Sequence, residues 1–265
     1  MDTQAIRDQM PALVQGHVPS NARTFECRFF DGQPKVSPSG FFVDPQPFEG
    51  QVVARTDEAI VVKTGRARFA VLDRTLVTEI PDDGAKVQVE PYARRRFDGL
   101  RADTPEEFTE YTSDGQPYTM QRYILGSAPA KLPIPEPRCP ELRELIGQLE
   151  NLPAPDGYRR VTHLLVDAGA RDFSCVDPLP EDILATPPAI AFTVATAKFE
   201  GRVSVLYDRG MDLFAVELSR DGEIVERVPD VGFDELGTVL EQLIDDGRWR
   251  RIRVHCLPAR KRVRR

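Results

Sequence analysis

The stretch QVVARTDEAIVVKTGRARFAVLDRTLVTEIPDDGAKVQVE, residues 51–90, decides the fold of the first half of the chain. It holds five runs rich in β-branched residues, at 51–55, 59–63, 66–72, 75–80 and 86–90. Turn-forming residues such as Asp82-Asp83-Gly84 separate the runs. Strands this short cannot bury a face alone, so the pattern predicts a small closed barrel of the SH3 or OB type over about residues 48–92. A flat sheet covered by the following segments is the alternative.

The residues before the barrel are less regular. A short helical pattern at 3–10 stops at Pro11, and Gly16 and Pro19 then favour a loop. We therefore expect residues 1–23 to form a flexible N-terminal arm. Aromatic runs at 24–30 and 41–43 predict two further strands.

The residues after the barrel complete a mainly-β domain, which we place at 24–126. Thr104-Pro105-Glu106-Glu107 combines a cap residue, an N1 proline and two acids, and so predicts a short helix. Residues 108–125 predict a hairpin around Ser113-Asp114-Gly115. We expect its tyrosines to be packing residues, namely Tyr111, Tyr118 and Tyr123.

A proline-rich stretch follows, and we place the domain boundary there. Residues 127–140 contain five prolines, at 129, 133, 135, 137 and 140, a spacing that favours an extended spacer and excludes a helix. The stretch 132–137 also has the composition of a ligand for an aromatic groove. A plain linker is the simpler interpretation.

The second half predicts a separate α+β domain at 141–257, followed by a basic tail at 258–265. Helical spacing of leucines marks 140–152 and 158–168, and a further helical stripe lies at 233–243. The remaining patterned runs predict strands at 189–198, 202–208, 213–219, 224–228 and 249–257. The order ααββββαβ indicates an antiparallel sheet with helices on one face.

Composition sets limits on the protein class. The 265 residues include 41% hydrophobic residues, 29% charged residues and 23 prolines, which suits two globular units with many fixed turns. The sequence lacks an apolar run of 18 residues and a recognisable leader pattern at its first residues. We therefore expect a soluble cytoplasmic protein that makes no membrane contact.

Sequence motifs for catalysis and for cofactor binding are absent. The chain has no phosphate-binding loop, dinucleotide fingerprint, nucleophile elbow or HExxH. Its three histidines are few for acid–base work, and we expect His163 to be a packed structural residue. The four cysteines are widely spaced, without zinc-ligand spacing, and we expect them to be reduced. We predict no catalytic residue, no metal site and no cofactor.

Basic clusters are the strongest functional signal in this acidic chain, whose net charge is −7. Arginines neutralise phosphates, and an arginine beside an aromatic ring can stack on bases. The candidate nucleic-acid-binding residues lie after the barrel, around the single tryptophan and in the tail: Arg94, Arg95, Arg96, Arg101, Arg248, Trp249, Arg250, Arg251, Arg253, Arg260, Lys261, Arg262, Arg264 and Arg265. A solvated strand end and a solubilising tail are the plain alternatives, and an acidic protein partner is another.

One part of the chain resembles a known family. FEGQVVARTDEAIVVK, residues 48–63, followed by Leu72-Asp73-Arg74 and GAKVQV at 84–89, resembles the small KfrB-like domain of plasmid and integrative-element accessory proteins. Lys63 stands where that family usually has glutamine, and Leu72 where it usually has histidine. The resemblance covers about residues 48–92 and implies a compact β-barrel on a mobile genetic element. It implies no catalytic residues.

These observations leave several functional hypotheses. The leading one is a non-enzymatic accessory or adaptor protein of a plasmid or other mobile element, which contacts DNA or a nucleoprotein complex. One alternative is a protein-binding inhibitor or antidefence protein that uses the C-terminal sheet. Another is a metal-dependent nuclease-like enzyme, whose candidate ligands are Asp208, Asp212, Glu217, Asp221 and Glu223.

Overall fold

The computed structural model describes residues 1–124, 126 and 128–258. The chain divides into two compact units. Unit 1 comprises Met1–Lys35, Val43–Ala93 and Arg250–Arg265, and unit 2 comprises Val36–Phe42 and Arg94–Trp249. Both contain helices and sheets, so the predicted α+β class is confirmed. The division differs from the predicted domains in two respects. The stretch 127–140, where we placed the boundary, lies inside unit 2, which already includes residues from Arg94 onwards. The last strand, in turn, joins the sheet of unit 1.

The elements of unit 1 are α1 (Thr3–Leu13), β1 (Glu26–Phe30), β4 (Phe48–Arg55), β5 (Ala59–Gly65), β6 (Arg68–Asp73), β7 (Lys86–Glu90) and β15 (Arg253–Cys256). These six strands form one sheet in the order β1-β6-β5-β4-β7-β15. β1 runs parallel to β6, and the other neighbours are antiparallel. The short strands β2 (Lys35–Val36) and β3 (Phe42–Val43) pair separately.

The predicted closed barrel is wrong, because this sheet is open with β1 and β15 at its edges. The run at 75–80 is not a strand; only Val77 makes an isolated bridge, to Ile252. Closure is unnecessary because both faces are covered within unit 1. One face packs Val52, Ile60, Val62, Ala70, Leu72, Val87, Val89, Ile252 and Val254. The opposite face packs Val61, Phe69 and Val71 with residues of α1.

The first residues do not form a loose arm. α1 begins after Asp2, whose carboxylate accepts hydrogen bonds from the backbone N–H groups of Gln4 and Ala5. Ile6 and Met10 lie one turn apart and are buried to 3% and 1% exposure. The prediction missed this because Pro11 lies inside the helix, where it usually ends one.

The elements of unit 2 are β8 (Glu106–Tyr111), β9 (Pro117–Arg122), α2 (Pro140–Asn151), α3 (Val161–Asp167), β10 (Arg171–Val176), β11 (Ala189–Ala195), β12 (Glu200–Asp208), β13 (Leu213–Arg220), β14 (Glu223–Val231) and α4 (Leu236–Ile244). Its main sheet is an antiparallel meander in the order β10-β11-β12-β13-β14, which packs with the α-helices. The helices and the sheet share one core, in which Leu145, Leu164 and Leu240 meet Phe192 and Val216.

Two local predictions for unit 2 need correction. Residues 106 and 107 begin the strand β8 instead of a helix, because Phe108 and Thr109 pair with Met120 and Thr119 of β9. The proline-rich stretch is packed as well as extended. Ala130 is fully buried, and the backbone N–H of Leu132 donates to Glu150 Oε1 at 2.9 Å. Ala128, Leu132 and Cys139 are buried as well, so apolar residues beside the prolines form part of the core of unit 2.

No helix in the portion of the chain that the structure describes has both the length and the apolar character to span a membrane.

Candidate nucleic-acid interface

The first predicted arginine, Arg94, lies in the interior of unit 2. Its exposed fraction is 0%, and its guanidinium stacks on the ring of Tyr158 at 4.3 Å. The same group donates to the backbone carbonyl oxygens of Tyr158, at 3.2 Å, and of Phe42, at 3.4 Å. Arg94 is therefore a structural residue that cannot reach a phosphate in this conformation, which corrects its place in the predicted set.

The three following arginines are half-buried and hold their own loop together. Arg95 Nη1 donates to the carbonyl oxygen of Gly99 at 2.9 Å. Arg96 lies 3.6 Å from a carboxylate oxygen of Asp98. Arg101 forms a bidentate pair with Asp103, with distances of 2.8 and 2.7 Å. These local ion pairs reduce the positive potential that the sequence suggested here.

Trp249 is also engaged inside unit 2. Its ring covers the guanidinium of the fully buried Arg159 at 4.0 Å. A tryptophan face that already binds a cation is not presented to a nucleic-acid base. The neighbouring Arg248 is exposed, with its Nε 3.4 Å from a carboxylate oxygen of Asp246.

Apart from Arg248, the exposed members of the predicted set that the structure describes lie in unit 1. Arg250, Arg251 and Arg253 are exposed, and they lead into the edge strand β15. Ile252 and Val254 point into the core at 2% exposure each. Because successive residues of an extended chain face opposite sides, Arg251, Arg253 and His255 lie on the side away from Ile252 and Val254, about 7 Å apart. We call Arg250, Arg251 and Arg253 the β15 arginines.

The same face carries acidic residues further into the sheet. Arg253 lies opposite Glu90 of β7, and His255 lies opposite Gln88, which in turn lies opposite Glu49 of β4. On this face β7 carries Lys86 as well as Glu90, so its charges cancel, and positive charge is concentrated at the β15 edge. This arrangement fits a contact along the edge better than one across the whole sheet face.

The predicted tail residues lie outside the described residues: Arg260, Lys261, Arg262, Arg264 and Arg265. They follow β15 directly in the sequence and carry five positive charges.

Three of the five acids proposed for a nuclease have local partners. Asp208 Oδ1 accepts the backbone N–H groups of Gly210 and Met211 in the turn after β12. Glu217 pairs with Arg227 of the neighbouring strand at 2.8 Å. Asp212 accepts the hydroxyl of Tyr207 at 2.6 Å, and this hydrogen bond raises the pKa of Tyr207 to about 12.

No group of three or more His, Cys, Asp or Glu residues in the described ranges is arranged to hold a metal ion. The geometric support that a metal-dependent nuclease needs is therefore missing from those ranges.

His163 has the structural role that the sequence predicted. It is fully buried, its Nδ1 accepts the backbone N–H of Arg160, and its Nε2 lies 3.0 Å from the carbonyl oxygen of Ala128. These partners assign the Nε2–H tautomer. Both ring nitrogens are therefore occupied in holding α3 against the proline-rich stretch.

Sequence reasoning missed one surface feature. The tyrosines assigned to packing are exposed instead, with Tyr111 at 70% and Tyr123 at 68%. They lie on or next to the two-stranded β8–β9 ribbon, which no other described strand joins. The signal was present in Glu106, Phe108 and Glu110, where two acids flank the aromatic residue on one face of the strand.

Comparisons with known proteins give no relative from which to transfer a role. No family model, curated protein or solved structure matches the chain.

Proposed function

We propose that the protein is a non-enzymatic adaptor that contacts DNA or a nucleoprotein complex through the β15 edge of unit 1. The observation that carries this proposal is the exposure of the β15 arginines at the start of an edge strand that precedes the basic tail in the sequence. Arginines on a strand edge can follow a phosphate backbone without reading bases. Such binding depends strongly on salt and weakly on sequence.

The resemblance of residues 48–92 to the KfrB-like domain supports a role on a plasmid or other mobile element as part of the same proposal. In the structure this stretch holds β4, β5, β6 and β7, which are contiguous in sequence and lie in one sheet with β15. The proposed DNA contact would therefore lie in the same sheet as the KfrB-like stretch. Sequencing the neighbouring genes would test this setting, and a neighbourhood without partition, transfer or integration genes would count against it.

The biochemical test is fluorescence anisotropy with a labelled DNA duplex and a labelled single strand at low salt. The full chain should bind, and a chain ending at residue 258 should bind more weakly because it lacks the basic tail. Adding the double change Arg251→Ala/Arg253→Ala to this shortened chain should weaken its binding to DNA further. The matched control is Arg23→Ala/Arg28→Ala, which removes the same charge near β1, at the opposite edge of the sheet. Undetectable binding by the full chain at low salt would end the proposal.

A second candidate function is a protein-binding inhibitor or antidefence protein that uses the sheet of unit 2. Exposed apolar residues on the meander favour it, namely Val176 at 42%, Ile224 at 57% and Val225 at 52%. Ile224→Ser/Val225→Ser should abolish capture of a protein partner and leave DNA binding unchanged. If the double variant still captures the protein partner, the second candidate function is excluded.

A further inference from the structure

The β8–β9 ribbon of unit 2 has an aromatic face that belongs to none of the hydrophobic cores formed by the described residues. In the strand register Phe108 lies opposite Met120, Glu110 opposite Tyr118 and Glu106 opposite Arg122, so these three pairs share one face. Tyr118 and Met120 are 41% and 39% exposed. A hairpin with this alternation normally packs its apolar face against a third element. Here the ribbon is a sheet of only two strands, with both backbone edges unpaired by any described strand.

Contacts between the two strands keep the ribbon ordered. Gln121 Nε2 donates to Glu107 Oε1 at 2.9 Å, and the Tyr118 hydroxyl donates to Glu110 Oε2 at 2.9 Å. The guanidinium of Arg122 lies 5.0 Å from the centre of the Phe108 ring. The last contact shows that this face accepts a guanidinium on an aromatic ring.

The charge of the ribbon is concentrated on one strand. β8 carries Glu106, Glu107 and Glu110 and no basic residue, whereas β9 carries Arg122. A second copy of the chain paired along β8 would bring these acids together, and like charges on neighbouring strands are destabilising. Charge complementarity therefore favours a basic occupant over a second copy.

We propose that the outer edge of β8 binds an extended basic segment of a partner protein as a third strand. The bound segment would carry Lys or Arg beside Glu106 and Glu110, with an apolar residue beside Phe108. Its recognition pattern is therefore basic-x-apolar-x-basic. Backbone hydrogen bonds to the free edge would supply affinity, and the alternating side chains would supply specificity.

The test uses two labelled synthetic peptides with the same composition. The first, Ser-Arg-Thr-Val-Thr-Arg-Ser, has the alternating pattern, and the second, Ser-Arg-Arg-Thr-Val-Thr-Ser, does not. We expect the full chain to bind the first about threefold more tightly, because it can form two cross-strand charge pairs beside its valine and the second peptide only one. Glu106→Gln/Glu110→Gln should remove that preference. The control Glu223→Gln/Glu226→Gln changes two exposed acids elsewhere in unit 2 and should retain it.

A second measurement separates loss of contact from loss of structure. Amide NMR shifts of β8 residues should move on addition of the first peptide, and the far-ultraviolet circular dichroism of the Gln variant should match that of the wild type. Equal affinity for both peptides would overturn the proposal, and so would a preference that survives in the Gln variant. Self-association lost in the Gln variant would also overturn it, because the occupant would then be a second copy. None of these results depends on DNA binding.

Discussion

Replacing Arg159 should cost more stability than replacing any surface arginine. Its guanidinium is fully buried and pairs with Asp156 of the preceding loop, Asp167 at the end of α3 and Asp245 after α4. Although burial disfavours its charged form, the three carboxylates, led by Asp167, raise the pKa of Arg159. The network ties three segments of unit 2 at one point. We therefore expect Arg159 to stabilise the packing of these three segments.

The magnitude follows from the burial of these partners. Arg159→Met leaves three carboxylates, whose side chains are 6%, 12% and 8% exposed, without their shared cation. Breaking a buried pair from one side costs about 3–5 kcal/mol. Loss of the stacking contact with Trp249 adds about 1 kcal/mol. With a urea dependence of about 2 kcal/mol per molar, we expect the unfolding midpoint to fall by about 2 M.

Urea unfolding followed by fluorescence measures this directly, because Trp249 is the single tryptophan of the chain and lies 4.0 Å from the Arg159 guanidinium. The control Arg227→Met removes an arginine whose side chain is 56% exposed, and should cost less than about 1 kcal/mol. Arg159→Met/Asp245→Asn should recover part of the loss. Equal midpoints for the Arg159→Met and Arg227→Met variants would refute the reasoning.

The pH dependence gives an independent check of the same network. Burial works to raise the pKa of Asp156, but hydrogen bonds from the Arg159 and Tyr158 backbone, together with the Arg159 charge, lower it overall. In the wild type its contribution is therefore present above the unfolded pKa and lost as pH falls through the folded pKa. In Arg159→Met the unpaired carboxylates favour the protonated form. The stability deficit of that variant should shrink as pH falls from about 7 to about 4.

Two further predictions concern α1 and the turn after β12. Because α1 is part of the core, Met10→Ala should lower the free energy of unfolding in urea by about 2–5 kcal/mol. The control Gln9→Ala, at an exposed position, should change it by almost nothing. Equally small effects of the two changes would support the flexible arm instead. In an alkaline absorbance titration, Asp212→Asn should lower one tyrosine pKa from about 12 towards about 10, whereas Asp221→Asn should leave it unchanged. Both aspartates have positive φ angles, of 56° and 51°, which asparagine tolerates.

Local pattern predicted most elements of the fold, because alternation and helical spacing are properties of a few adjacent residues. β5, β7, α2, β12 and β13 lie where their apolar periodicity placed them. β10 was missed, since Arg171–Val176 mixes charged and apolar residues, and Asp172 has a positive φ of 55° within it. Sheet membership was the larger difficulty. Nothing local to Arg253–Cys256 indicates pairing with β7, about 165 residues earlier in the chain.

The sequence identifies the basic residues of the candidate site, but it does not indicate which of them are exposed. Arg94 and Arg251 are both arginines beside other arginines in the sequence, yet Arg94 is fully buried and Arg251 is exposed. The difference comes from Tyr158, which is 64 positions away and supplies a ring and a carbonyl oxygen to Arg94. Long-range partners of this kind decide whether a basic residue is structural or available. The sequence alone does not reveal them.

The salt dependence of DNA affinity tests the central proposal most directly. Each phosphate neutralised contributes about −0.9 to the slope of log affinity against log salt concentration. If the β15 arginines contact phosphates, Arg251→Ala/Arg253→Ala should make the slope shallower by about 2 than that of the wild type, while Arg23→Ala/Arg28→Ala leaves it unchanged. Identical slopes for the two double variants would contradict the proposed interface.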